Sequence, residues 1–438
     1  MKSPVKPIKG SGHVQSMREA VSPVSEFAYV EVASSELTRD INRDTVLELI
    51  RTKQPVSRVD LSRASGLQPS TVSLLVELLL QERWIRESAM VKTARGRRPT
   101  LLSLNDDMVF LVADVRPGHA VTAVIDLNGR FLERQVVPLG KYPARGLESI
   151  ANVMQHFRER HLNKTVQGVG VSLPGRVDPS TGKLLFAPNL GWSEFPIRER
   201  LQELLGLEVQ LENAANASLL AELWFGRIDG IRNAMLVTVS EGVGVAILAE
   251  GRLITGQHGL AGEFGHISMN PAGPACACGA RGCWEVFASS RAALGYYAEL
   301  APDAPKMTIL ELVAFALDGD ASARQALERQ AYSIGDGLHL LNAIMSPEII
   351  LLAGDVSISY DINRNIIEAQ CRAGAMDGVG PRVVSIGDGE TSRLRGAAAV
   401  VLQRHSGYYR SSRTRGEKRD ERSLASQPGV TMYRPPDQ

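Results

Sequence analysis

Between residues 39 and 104 the apolar positions recur first with a helical period and then with a strand period. After residue 108 they gather into short unbroken runs separated by amphipathic stretches. Val46, Leu49 and Ile50 share one side of a first helix. Ser57-Arg58-Val59-Asp60 has capping-box spacing and predicts a second helix, through Leu61 and Ala64, that stops at Gly66. Pro69 suits the first turn of a third helix, whose Val72, Leu75, Val76 and Leu79 form a single stripe. Helix, short glycine turn and helix is the helix-turn-helix order, in which the later helix enters a DNA major groove. Its exposed N-terminal residues would be Gln68, Ser70, Thr71 and Ser73, all able to hydrogen-bond phosphates or base edges. Trp84, Ile85 and Val91 predict the hairpin of a wing. Arg95, Arg97 and Arg98, in the segment RGRRP, sit where a wing would meet a narrow minor groove. The competing reading is a small helical protein-interaction domain with a solvated basic loop.

From Met108 onward strands alternate with helices. FLVADV and AVTAVIDLNGRFLERQVV read as strands with a turn at Asn128-Gly129, followed by a helix near 146–161 and a strand at VQGVGVSL. A helix near 196–206, the strand LEVQLEN and a helix at 214–225 complete the first block. A second block has strands at AMLVTVS and GVAILAEGRLI, a glycine-rich loop, helices through 285–345, a buried strand at EIILLAG and a closing helix at 391–404. The alternation predicts a layered α/β body. Both blocks open alike, with an apolar strand, a glycine-containing turn and another strand. Residues 1–38 and 405–438 lack periodicity and are read as a disordered leader and a disordered basic tail.

Charge sharpens this division. The chain of 438 residues has a net charge of +1, yet residues 39–105 hold 12 Lys/Arg against 7 Asp/Glu, and residues 106–403 hold 25 against 33. A basic module on an acidic body implies that only one part meets a polyanion, with the basic tail as a second, weaker candidate. No run of about 18 apolar residues is present, which excludes a membrane-spanning helix of ordinary length. The first 30 residues lack a continuous apolar core for a secretory signal, so a cytoplasmic protein without membrane insertion is expected.

Three of the four cysteines, Cys276, Cys278 and Cys283, crowd into eight residues, and His266 lies ten residues before the first. One imidazole and three thiolates make a closed tetrahedral Zn2+ site, structural rather than catalytic because no coordination position stays open. Reduced core cysteines beside a chance histidine would be the alternative.

GEFGH followed by CACGARGCWE resembles the ROK family of repressors and sugar kinases. GVGVSLPGRVDPSTG, FAPNLGW and LENAANASLLAELWFG support the resemblance, which spans about 39 to 404. It implies a winged helix-turn-helix at 39–105 followed by a two-lobed, actin-like (RNase H-like) ATPase-fold body. The first lobe would be 106–226 with the helix 391–404, and the second 227–390 with the zinc site. The resemblance also implies a sugar cleft between the lobes and a homodimer or homotetramer. Carried over residue by residue, the sugar contacts fall on Gly175, Asn213, Glu263, His266 and Glu285, with Asn189 a weaker candidate. Zinc at one nitrogen of His266 would leave the other free to face the sugar.

The kinase chemistry of the family does not carry over. Its general base falls on Ala214, which cannot accept a proton. Its first phosphate loop falls on Asp114-Val115-Arg116-Pro117-Gly118, where proline removes a backbone donor, and its second on Glu241-Gly242-Val243-Gly244, where a carboxylate would face phosphate. Its adenosine-side pair of glycines falls on Ala353-Gly354. The reading is therefore a sugar-responsive transcriptional regulator, most simply a repressor of carbohydrate uptake or catabolism genes, with operator DNA and a sugar as partners and no catalytic residues. The alternatives are an active carbohydrate kinase carrying a regulatory DNA-binding domain, and a ligand-independent DNA-binding protein controlled by a protein partner.

Overall fold

The structure, a computed structural model, describes residues 35–88, 100–226, 228, 230–256, 259–373, 380–387 and 389–405. The expected leader up to residue 34, the wing residues 89–99 with Val91, Arg95, Arg97 and Arg98, and the tail from residue 406 lie outside the described residues.

The N-terminal module is α1 (Ser35–Lys53), β1 (Val56–Ser57), α2 (Arg58–Ser65), α3 (Pro69–Gln81), β2 (Ile85–Ser88) and β3 (Leu101–Leu104). The Ser57 side chain accepts from the Asp60 N–H and caps α2, and α2 closes at Gly66. Val46, Ile50, Leu61, Val72, Leu75, Val76, Leu79, Trp84 and Ile85 form its core. One boundary differs from expectation. α1 begins at Ser35, so residues 35–38 are helix rather than leader. Glu36 in the first turn faces the positive end of the helix dipole, a favourable placement that an apolar pattern does not reveal.

The body begins with β4 (Met108–Arg116), β5 (His119–Asp126), β6 (Phe131–Pro138), α4 (Pro143–Arg160), β7 (Thr165–Leu173), β8 (Arg176–Val177), β9 (Leu184–Phe186), α5 (Ile197–Leu205), β10 (Val209–Asn213) and α6 (Ala214–Phe225). It continues with β11 (Ala234–Val239), β12 (Val243–Ala249), β13 (Arg252–Leu253), α7 (Glu285–Ala288), α8 (Ser290–Leu300), α9 (Ile309–Leu317) and α10 (Ala321–Met345). β14 (Ile349–Ala353), α11 (Val356–Arg372), β15 (Arg382–Ser385) and α12 (Gly389–His405) complete it.

Among the described residues the body has two five-stranded sheets, ordered β10-β7-β4-β5-β6 and β13-β12-β11-β14-β15. Counted within its own block, each sheet has the strand order 5-4-1-2-3. In both, the first strand pairs antiparallel with the second and parallel with the fourth. The similar openings of the two blocks are thus the visible part of a repeated sheet topology. α12 packs against α6, β7 and β4, so the last described helix belongs with the first sheet. α11 and β15 were not expected. Ser359 and Asn363 lie buried on α11 and interrupt its apolar period, and β15 has only four residues.

Candidate functional site

The metal candidate forms as expected. One ligand atom from each of His266, Cys276, Cys278 and Cys283 lies within 4.8 Å of the others. His266 Nδ1 is 3.6 Å from Cys276 Sγ, and Cys278 Sγ is 3.7 Å from Cys283 Sγ. A tetrahedral zinc ion with ordinary bond lengths separates two sulfurs by about 3.8 Å and sulfur from nitrogen by about 3.6 Å, so these donors fit such an ion. Burial raises the Cys276 and Cys283 thiols, whereas the Ala280 N–H lowers Cys278. Three thiolates at this spacing repel one another, and a bound cation is what would let them ionise together.

His266 presents its other face to a carboxylate: Nε2 is 3.9 Å from Glu263 Oε2. Both residues belong to a short 3-10 turn, Glu263–His266, that lies on β12. A Cβ at Gly265 would stand 2.1 Å from the Val243 carbonyl oxygen, so glycine is required for this approach. Glu285 is held at the same strand. Its Oε2 accepts from the Val243 N–H at 3.1 Å, and Oε1 lies 3.4 Å from Arg291 Nη2. Gly265, between Glu263 and His266, and Glu285 thus both meet Val243, with Glu285 buried, His266 half-buried and Glu263 exposed.

Asn213 stands at the N-terminus of α6, where its Oδ1 accepts from the Asn216 N–H at 2.8 Å and caps the helix. Ala214 is the first helical residue. Glu212, which the motif reading passed over, accepts from the Asn213 N–H and from Asn216 Nδ2, both at 2.9 Å, and burial pushes its carboxyl up. Gly175 has φ +89°, and a Cβ there would meet the Phe186 carbonyl oxygen at 2.2 Å. This close approach of the β9 end by itself requires glycine at position 175. Asn189 lies exposed in the short turn Pro188–Leu190.

At the position of the first phosphate loop, the fully buried Asp114 carboxylate is held by two guanidinium groups. Arg116 Nε is 2.7 Å from Oδ2, and Arg393 Nε is 2.9 Å from Oδ2 and 3.1 Å from Oδ1. Glu390 pairs with Arg134 at 3.1 Å and lies 3.5 Å from Arg116 Nη2. Arg393 is 279 residues from Asp114, and no local motif announces the pair.

In the N-terminal module, Gln68, Ser70 and Ser73 are exposed and Thr71 is half-buried at the start of α3. Ser73 Oγ donates to the Pro69 carbonyl at 2.9 Å, which leaves it an acceptor for other partners. The module is fastened to the body by Arg51, whose Nη1 donates to the Trp224 carbonyl at 2.6 Å, and by Gln54, whose Nε2 donates to Asn128 Oδ1 at 2.7 Å. Trp224 and Phe225, at the C-terminal end of α6, pack against the apolar cluster that the module's core shares with the first sheet and α12. One helix therefore has Asn213 at one end and the DNA-module contact at the other.

The description of the ROK family matches residues 114–404. The chain belongs to the ROK family. It is 28% identical over 345 residues to the xylose repressor of Bacillus spizizenii, covering 78% of this chain and 89% of that protein. A solved ROK family transcriptional regulator, a homolog of the E. coli MLC protein, superposes with a TM-score of 0.73 at 26% identity, covering 85% of this chain and 98% of the other. A ROK family glucokinase from Streptomyces griseus, solved with glucose and AMPPNP, gives a TM-score of 0.61 at 28% identity but covers only 67% of this chain. The two-lobed actin-like body is common to all of these ROK structures, and the longer match to the regulator takes in more than that body.

Proposed function

We propose that this ROK family chain is a sugar-responsive DNA-binding transcriptional repressor, holding structural zinc and lacking kinase activity. The observation that carries the reading is the helix-turn-helix with the polar N-terminal turn of α3 exposed, docked through Arg51 and Gln54 onto a ROK body. Gln68, Ser70, Thr71 and Ser73 would meet base edges and phosphates, and Arg95, Arg97 and Arg98 the minor groove. His266, Cys276, Cys278 and Cys283 would hold the zinc and orient His266 Nε2, beside Glu263, toward a sugar hydroxyl. Asn213, Gly175 and Glu285 would complete the sugar site. A neighbour solved with glucose and a relative named for xylose support monosaccharides as the first effectors to try.

Three features oppose kinase activity. Ala214 offers no general base. Asp114 is already neutralised by Arg116 and Arg393. The Val243 N–H of the second phosphate loop is engaged by Glu285. The likeness to a glucokinase keeps an active kinase with a regulatory domain as the second reading.

Regulation follows from α6. A sugar that repositions Asn213 would move the far end of the same helix, and with it the winged helices of a dimer or tetramer. The sugar must bind the two arrangements with different affinity for this to release DNA. Among the described residues no helix is long and apolar enough to cross a membrane.

The decisive experiment enriches random duplexes on the full-length chain. The enriched site is then titrated at several salt concentrations with D-xylose, D-glucose and N-acetylglucosamine present or absent. Site-specific binding relieved by one sugar is expected. ATP consumption with any of these sugars, in the absence of specific DNA binding, would favour the second reading.

A further inference from the structure

The solvent face of α3 carries one group that hydrogen-bond reasoning passes over. Ser70, Ser73, Leu74 and Glu77 are exposed, whereas Val72, Leu75, Val76 and Leu79 are buried on the opposite side. Leu74 is 64% exposed and, among the described residues, belongs to none of the apolar core clusters. It lies four residues after Ser70, on the same side of the helix and about 6 Å further along its axis. Packing among the described residues of the module gives no reason for an isobutyl group there.

The carboxylates nearest Leu74 are engaged within the module. Glu77, one turn after Leu74, pairs with Arg58 at 3.0 Å, and Arg58 also reaches Glu87 at 3.2 Å. One guanidinium thus links α2, α3 and β2 and offsets one of the two negative charges that would otherwise repel phosphates. The other large exposed apolar residue of the helix pair, Val59, is on α2. In helix-turn-helix docking that helix crosses the sugar-phosphate backbone rather than the base edges.

We infer that Leu74 is a specificity-determining residue that packs against the 5-methyl group of a thymine in the operator. This rests on the DNA-binding reading above. The major groove exposes only one apolar substituent, the thymine methyl, and an aliphatic side chain on the recognition helix is its natural complement. The separation from Ser70 sets that thymine about two base steps from the base pair that Ser70 addresses.

The test replaces each thymine of the duplex enriched by the wild-type chain with deoxyuridine, which removes only the methyl. One position in each half-site should weaken wild-type binding by about fourfold, the worth of one buried methyl-sized group. Leu74→Ala should bind the thymine and deoxyuridine duplexes equally at that position, while keeping the wild-type penalties elsewhere and the wild-type melting temperature. Leu74→Asn, carried through the same enrichment, should lose the thymine preference at that position alone. If no thymine matters to the wild type, or if the penalty is the same in Leu74→Ala, the assignment of Leu74 is overturned while DNA binding stands. If no duplex is enriched at all, the DNA-binding reading falls and this inference falls with it.

Discussion

Arg51 on α1 and Trp224 at the end of α6 are 173 residues apart, yet the guanidinium Nη1 donates to the tryptophan carbonyl at 2.6 Å. The bond joins the DNA-reading module to the helix that Asn213 caps at its other end. A charged donor on a backbone carbonyl contributes about 1.5–3 kcal/mol, comparable with the whole of a typical allosteric coupling. Arg51→Ala should therefore leave sugar binding, followed by thermal shift, near the wild-type value. Operator affinity without sugar should stay within about tenfold. The sugar-dependent change in operator affinity should shrink by about tenfold or more, read from titrations with and without the sugar that relieves wild-type binding. Unchanged coupling would show that the signal takes another route.

The four donors around His266 predict about one zinc per chain, because a closed site uses one ligand from each. Cys276→Ser and Cys283→Ser should lose the metal and lower the melting temperature, since both sulfurs are buried within the fold. They should also lose the sugar-induced thermal shift, because His266 would no longer be oriented. Metal content by atomic emission and melting by scanning calorimetry check both. A zinc-free chain with full sugar response would remove the metal from the sugar site.

Ala214→Asp should not create a kinase. Restoring the base leaves Asp114 clamped by Arg116 and Arg393, and the Val243 N–H still engaged by Glu285. Coupled-assay turnover with ATP should remain at background for the single variant. Turnover rising by several orders of magnitude would mean that the phosphate side of the cleft is intact.

Burial raises the Glu212 carboxyl above its ordinary 4.5. The folded state thus prefers the protonated acid more strongly than the unfolded state does. This stabilisation is complete below about pH 4.5 and is lost as pH rises through the higher folded value. Glu212→Gln keeps an amide oxygen for Asn213 and Asn216 and removes the titration. It should raise stability relative to the wild type near neutral pH and should not do so at acidic pH, as measured by urea unfolding across the range. The same stability difference at both ends of the pH range would contradict the role of burial.

Gly265→Ala should destabilise the fold around β12. The added Cβ would sit 2.1 Å from the Val243 carbonyl oxygen, backbone against backbone, where no side-chain rotation can relieve it. Overpacking of this kind costs about 1–3 kcal/mol or more. The expected signs are a lower melting temperature and loss of the zinc. Wild-type stability and metal content would mean that the turn can lift from the strand freely.

The helix-turn-helix, the alternation of strands and helices and the metal cluster were legible in the sequence because each is a local pattern. Val72, Leu75, Val76 and Leu79 declare a helix by their spacing, and His266 with three close cysteines declares, by donor chemistry, a cluster able to hold a metal. Glu263 and His266 came with the same local stretch. What needed the tertiary structure were relationships across long sequence separations. The Asp114–Arg393 pair, the Arg51–Trp224 bond and the Val243–Glu285 contact each depend on which strands and helices become neighbours. Spacing along a chain says nothing about that. Gly175 shows the limit from the other side, since its motif says nothing of the Phe186 carbonyl oxygen that a Cβ there would meet at 2.2 Å. Periodicity and donor type fix local structure and local chemistry, whereas a contact between distant residues exists only once the core has closed and excluded water from between them.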